Sequence, residues 1–103
     1  MDSILSLIGL MYRANKLLLG ETVLEEIASV KYLLIACDAS AKTKERYIKK
    51  CNYYHIDYFD QFSSIELSKA LGKQNIKIIG IVDEGFKESL IKKIGGTYGK
   101  TNL

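Results

Sequence analysis

The sequence predicts an α/β domain: a three-layer α-β-α sandwich on a four-stranded, mostly parallel mixed sheet. Three observations predict it. Residues 32–37 (YLLIAC) and 76–82 (IKIIGIV) are nearly continuous apolar runs of strand length, the pattern of strands covered on both faces. Segments with apolar residues at helical spacing stand before, between and after these runs. Capping and turn residues punctuate the junctions, so the elements read α-β-α-β-α-β-α-β-α, an alternation that places helices on both sides of one sheet.

Each element has its own warrant. Ile4, Leu7, Ile8 and Met11 recur at i, i+3, i+4 and i+7, which predicts a first helix over residues 3–15 with Asp2 or Ser3 as its cap. Residues 16–19 form a short strand ending at Gly20. A second helix follows, with Val23, Leu24, Ile27 and Ala28 as its apolar face. The 32–37 run is a central strand. The third helix spans about 41–53, with Tyr47, Ile48, Cys51 and Tyr54 inward and Arg46 and the lysines toward water. Residues 56–59 carry polar partners and read as an edge strand. Ser63 and Glu66 make a capping box for the fourth helix, and Gly72 closes it as a C-terminal glycine. The 76–82 run is the other buried strand. Asp83 caps a fifth helix that packs Phe86, Leu90, Ile91 and Ile94 and stops at Gly95 and Gly96.

Composition bounds the class. With 103 residues, 48% hydrophobic and 26% charged, the chain suits one globular domain, expected over 1–95, with 96–103 as a flexible tail. The apolar stretch at 4–11 is too short to span a bilayer, and Asp2 stands where a signal peptide carries positive charge. The expectation is a soluble cytoplasmic protein with no membrane association. Cys37 and Cys51 are the only cysteines; they are expected to be reduced and structural, and two thiols alone do not complete a zinc site. No metal, small-molecule cofactor or phosphate-loop pattern is present.

The net charge of +3 is mild, but its distribution is uneven. Residues 38–50 hold five basic and two acidic residues, and Lys69, Lys73 and Lys77 add three more positive charges. Brought to one edge, these segments make a basic rim. Three glycine- or serine-marked loops are candidates to meet there: residues 19–22 (LGET), 37–40 (CDAS) and 71–75 (LGKQN). Gly20 lets another backbone approach closely, and the helix beginning after it offers unpaired N–H groups to an anion. Taken alone, a glycine at such a junction is turn punctuation.

Four segments say more: LIGLMYRANKLLLGE (7–21), LIACDASAKTKERYIKKCNYY (34–54), ELSKALGK (66–73) and IIGIVDEGF (78–86). In this order and spacing they resemble the kink-turn RNA-binding ribosomal protein family, large-subunit proteins seven-Ae and thirty-e, and most of all its small bacterial YlxQ-like group. The resemblance covers nearly the whole chain to about Gly95. It implies non-catalytic binding of structured, kink-turn-like RNA, ribosomal RNA among the candidates, with no catalytic residue. Gly20, Glu21 and Thr22 would enter the groove beside tandem sheared G·A pairs. The loop of Asp38, Ala39 and Ser40 and the loop of Gly72, Lys73, Gln74 and Asn75 would hold a flipped nucleotide. Lys42 and Lys73 would neutralise phosphates. RNA is read in this way, by shape and at unstacked bases.

One position departs from the family. Its members usually carry a lysine about one and a half turns into the second helix, which donates to guanine; here Glu25 or Glu26 stands there, and a carboxylate repels guanine O6 and phosphate. Lys16 and Arg13, just upstream, are candidate substitutes. The alternative reading is therefore a protein-interaction module that kept the fold and lost kink-turn affinity, docking through the aromatic edge or the acidic second helix. An enzyme built on Cys51 and His55, four residues apart, is the least supported reading. The aromatic cluster Tyr53, Tyr54, Tyr58, Phe59 and Phe62 reads as packing between the edge strand and the third helix rather than as a stacking platform. The sequence does not give the oligomeric state.

Overall fold

A computed structural model describes residues 2–95, so the expected 96–103 tail lies outside the described residues. The elements follow the predicted order: α1 (Asp2–Arg13), β1 (Leu17–Leu19), α2 (Glu21–Glu25), a 3-10 turn (Ile27–Ser29), β2 (Tyr32–Ile35), α3 (Ala41–Tyr54), β3 (Asp57–Phe59), α4 (Ser64–Leu71), β4 (Ile78–Ile81) and α5 (Glu84–Lys93). Helix α1 packs on α4 and α5, whereas α2, the 3-10 turn and α3 group together. The sheet between them completes the sandwich. Among the described residues, no helix is long and apolar enough to cross a membrane.

Local chemistry sets most boundaries. Asn15 adopts a left-handed φ of 62°, which asparagine tolerates, and the Lys16 amide donates back to the Met11 carbonyl. This ends α1 two residues earlier than the periodicity predicts. Ser63 and Glu66 form the full capping box, and Gly72 at φ 69° closes α4. The Asp83 carboxylate accepts from the Phe86 amide at 2.9 Å and starts α5. The second helix is the main departure: a single helix through Ala28 is predicted, but it breaks at Glu25 and resumes as the 3-10 turn.

The sheet order is β1-β4-β2-β3. Strands β2 and β4 are central and buried at every position, as their apolar runs demand, and β3 is at an edge as predicted. Three of the four strands point the same way, but β4 runs against them and sits between β1 and β2. Only β2 and β3 therefore pair in parallel, while β1–β4 and β2–β4 are antiparallel. The expected mostly parallel ladder is corrected on this point. A parallel crossover must carry the chain back to the starting edge of the sheet. Helix α4 has eight residues, about 12 Å, and the segment after it returns to the edge that β3 left.

The core is made by Ile8, Met11, Leu33, Leu34, Ile35, Ile79, Ile81 and Leu90, all fully buried. Burial of one such aliphatic side chain contributes roughly 1.5–3 kcal/mol. Gly80 packs tightly against Val23 and Val30. A Cβ there would lie 3.2 Å from the Cγ2 atoms of both Val23 and Val30.

Gly80→Val is expected to destabilise the fold by about 1–3 kcal/mol through overpacking. Chemical denaturation would read this, and combination with Val23→Ala should recover part of the loss. A double variant no more stable than Gly80→Val alone would refute the contact as the cause.

Candidate nucleic-acid interface

The reversed direction of β4 builds the candidate site. Because β4 starts at the edge where β1 and β2 end, the Gly20 amide donates to the Ile78 carbonyl at 3.2 Å and the Ala36 amide to the Lys77 carbonyl at 2.8 Å. The turn after β1, the loop after β2 and the segment before β4 thus share one edge. The chain after β3 joins them: the Cys37 amide donates to the Phe62 carbonyl at 2.8 Å.

Gly20 sits at φ 56°, ψ −130°, a conformation that side-chain-bearing residues rarely adopt. A Cβ on it would meet no atom within 4 Å. The backbone there is open to a partner, and glycine is required by the dihedral as much as by the approach. The turn is clamped from α3. The Tyr47 hydroxyl donates to the Gly20 carbonyl at 3.2 Å. The Arg46 guanidinium donates through both Nη atoms to the two Glu21 carboxylate oxygens, each at 3.3 Å. Such a bidentate fork fixes geometry as well as charge. Burial, and then the Glu21 charge, push the Tyr47 hydroxyl pKa up, which keeps it a donor. The expected anion site on the dipole of the second helix is corrected, since α2 has only five residues and the dipole needs a run of aligned peptides.

The loop after β2 is tied to α4. Asp38 accepts from the Ser64 amide at 2.8 Å and from the Ser64 hydroxyl at 2.7 Å. These bonds, with Lys77 nearby, hold its carboxyl below the usual carboxylate range. Ser40 caps α3, accepting from the Thr43 amide at 3.1 Å. Ala39 is only 6% exposed, so its methyl belongs to the core and not to a contact surface. The loop before β4 is held by the Ser68 hydroxyl, which accepts from the Ile76 amide at 2.8 Å. Ser64, Ile65, Ser68, Lys73 and Gln74 line a shallow depression there with Lys69 and Asn75.

Of the predicted residues, Gly20, Glu21, Asp38, Ser40 and Lys42 lie at or beside this edge. Thr22 is half-buried in α2, and its carbonyl accepts from the Glu26 amide. Gly72, Lys73 and Gln74 are exposed on the loop before β4, and the Lys73 ammonium lies 5.9 Å from the Tyr12 ring centroid. Lys16 is not brought to the site. Its carbonyl accepts from Val82, past the far end of β4, and β1 separates it from Gly20 by about 13 Å. Glu25 and Glu26 are both exposed.

Sequence reasoning placed Lys77 only in a general basic rim and Arg46 only on the water-facing side of the third helix, and it missed Ile65. Lys77 is close enough to Asp38 to depress its pKa, and Ile65 is 75% exposed on the first turn of α4. Arg46 and Glu21 are 25 residues apart, with no local signal joining them; the exposed apolar Ile65 inside a polar capping box was the one visible hint. The aromatic cluster divides. Phe59 and Phe62 are buried against each other at 5.2 Å, but Tyr53 and Tyr54 are 76% and 40% exposed. Tyr54 was expected inward; on the last turn of α3, just before left-handed His55, its ring instead meets Tyr53 edge-on at 4.8 Å.

Other chemistry finds little footing. Both cysteines are free thiols, Cys37 exposed and Cys51 buried. Burial pushes the Cys51 thiol up to about 12, away from nucleophilic thiolate, while His55 is exposed. Among the described residues, no group of three or more His, Cys, Asp and Glu side chains is placed to hold a metal ion.

Two proteins named RNA-binding protein YlxQ are 38% identical to the chain. The one from Enterococcus faecium matches over 97 residues, 89% of this chain and 91% of its own length. The one from Bacillus subtilis matches over 88 residues, 82% of this chain and 88% of its own. The chain belongs to the YlxQ family. A solved structure of a protein with unknown function from Bacillus halodurans C shares the fold at a TM-score of 0.83 and 34% identity, over 88% of this chain and 95% of that one. No protein-family profile matches the chain.

A pH titration tests the Asp38 anchor. Its folded pKa lies below the unfolded value of about 3.9, so its contribution to stability is full at neutral pH and is lost as pH falls through the lowered value. Ser64→Ala removes the hydroxyl donor and keeps the amide, so the Asp38 midpoint read by NMR should move up toward, without reaching, the ordinary value. An unmoved midpoint would assign the depression elsewhere.

Proposed function

We propose that this protein binds structured RNA of the kink-turn type, without catalysis, through the loops gathered at one edge of its sheet. The observation that carries the reading is the convergence of the open, left-handed Gly20 turn, the Asp38 loop and the loop before β4 on that edge. The names of its YlxQ relatives support RNA as the partner. Backbone at Gly20 is bare enough to enter a widened groove. The depression beside Ile65 and Lys73 suits an extruded nucleotide, with an apolar side chain against the base and lysines for its phosphate. Phosphate contacts by Lys42, Lys73 and Lys77 position the RNA, and loop contacts to base edges supply selectivity.

The acidic α2 shapes the affinity. Arg46 neutralises Glu21, so the first carboxylate after the glycine does not face RNA as a bare charge. The exposed Glu25 and Glu26 favour the second reading, a protein-docking surface on the same fold. Ionic strength separates the two, since RNA affinity carried by several lysines falls steeply with salt and an apolar protein interface does not.

The test is a calorimetric titration with a kink-turn RNA and a control whose G·A pairs are disrupted, at two salt concentrations. Selective, salt-sensitive binding is expected. Glu25→Lys or Glu26→Lys should tighten it by roughly three- to tenfold, about 0.7–1.4 kcal/mol. Equal affinity for the kinked and disrupted RNAs would refute the kink-turn reading, and unchanged affinity in both lysine variants would place those side chains away from the RNA.

A further inference from the structure

Beyond Lys42 and Arg46, the outer face of α3 is unused by the site described above. Lys42, Arg46, Lys49 and Tyr53 follow one another at intervals of four, three and four residues, which puts them on one stripe of the helix. Lys50 flanks the stripe, and Glu45 is the one acidic residue among the side chains that line this surface. The stripe begins at the loop edge: Lys42 is on the first turn of α3, just after the Ser40 cap, and Arg46 grips Glu21 beside Gly20. It ends at Tyr53, which is 76% exposed. The contact with Tyr54 is edge-on, at an interplanar angle of 76°, so the two rings do not stack face to face and Tyr53 stays largely open to solvent.

A solvated helix face accounts for the lysines but not for a bare aromatic ring at the end of their row. Cations in line with an exposed ring are the two components of a single-strand track: the charges follow phosphates, and the ring stacks a base. Eleven residue steps of helix from Lys42 to Tyr53 give the track a length of about 16 Å.

We propose that this stripe is a second RNA contact, along which a single-stranded segment leaving the loop-edge site runs, its phosphates on Lys49 and Lys50 and an unpaired base stacked on Tyr53. The inference rests on the RNA-binding reading above and extends it from the kinked element to its flanking strand. Charge complementarity and continuity with the loop edge favour RNA over an acidic protein here.

The experiment compares two RNAs on the full chain: a kink-turn RNA with blunt ends, and the same RNA with a single-stranded uridine extension on either end. The parent chain should bind the extended RNA more tightly. Tyr53→Ala should cost roughly five- to hundredfold on the extended RNA, the stacking range, and leave the blunt RNA unaffected. Lys49→Glu with Lys50→Glu should lower the salt slope on the extended RNA by roughly 1.4, about 0.7 for each single-strand phosphate lost. These residues are exposed, so thermal unfolding should match the parent. Equal binding of the extended RNA by parent and variants overturns the track and leaves the loop-edge site standing. Equal loss on both RNAs overturns it also, because the face would then belong to the kink-turn contact. A parent chain that binds neither RNA at low salt takes down both readings together.

Discussion

Strand β4 is hydrogen-bonded along both of its sides, to β1 and to β2, and it runs against them. The rest of the structure hangs on that placement. It joins the short edge strand β1 to the sheet, and it fills the center of the core with Ile79 and Ile81. It also presents its first carbonyl, that of Ile78, to the Gly20 amide, and the Lys77 carbonyl just before it meets the Ala36 amide. With β4 turned the other way, the loop before it would lie at the opposite edge, far from Gly20 and Asp38. Gly80 makes the arrangement compact, because a side chain at that position would press on Val23 and Val30.

The loop edge is held by side chains rather than left to adapt. Three clamps do this: Arg46 on Glu21, Tyr47 on the Gly20 carbonyl, and Asp38 on Ser64. Each joins residues more than 20 positions apart and uses a donor or acceptor suited to a partly solvated setting. A turn held in a left-handed conformation keeps its shape only where its surroundings determine it, and α3 supplies that constraint. The same helix carries the basic stripe, so the element that shapes the site also carries most of the positive charge near it. Burial sorts the residues at this edge: Ala39 and Tyr47 are core, Gly20 is half-buried, and Lys42, Ile65 and Gln74 are exposed.

The number, order and kind of elements, the two central strands, and the caps at Ser63, Gly72 and Asp83 were legible in the sequence, and so was the family, through four segments in register. These signals are local. A cap bonds residues three apart, a left-handed glycine answers to its own dihedral, and an apolar run is buried wherever the chain folds. The direction and position of β4, the break of the second helix, the recruitment of Arg46 to Glu21, the burial of Ala39, the removal of Lys16 from the site and the exposure of Tyr53 were decided only in three dimensions. They depend on pairings between residues distant in sequence, where the gain from ladder hydrogen bonds and buried area is set by what the remaining elements leave free to contact.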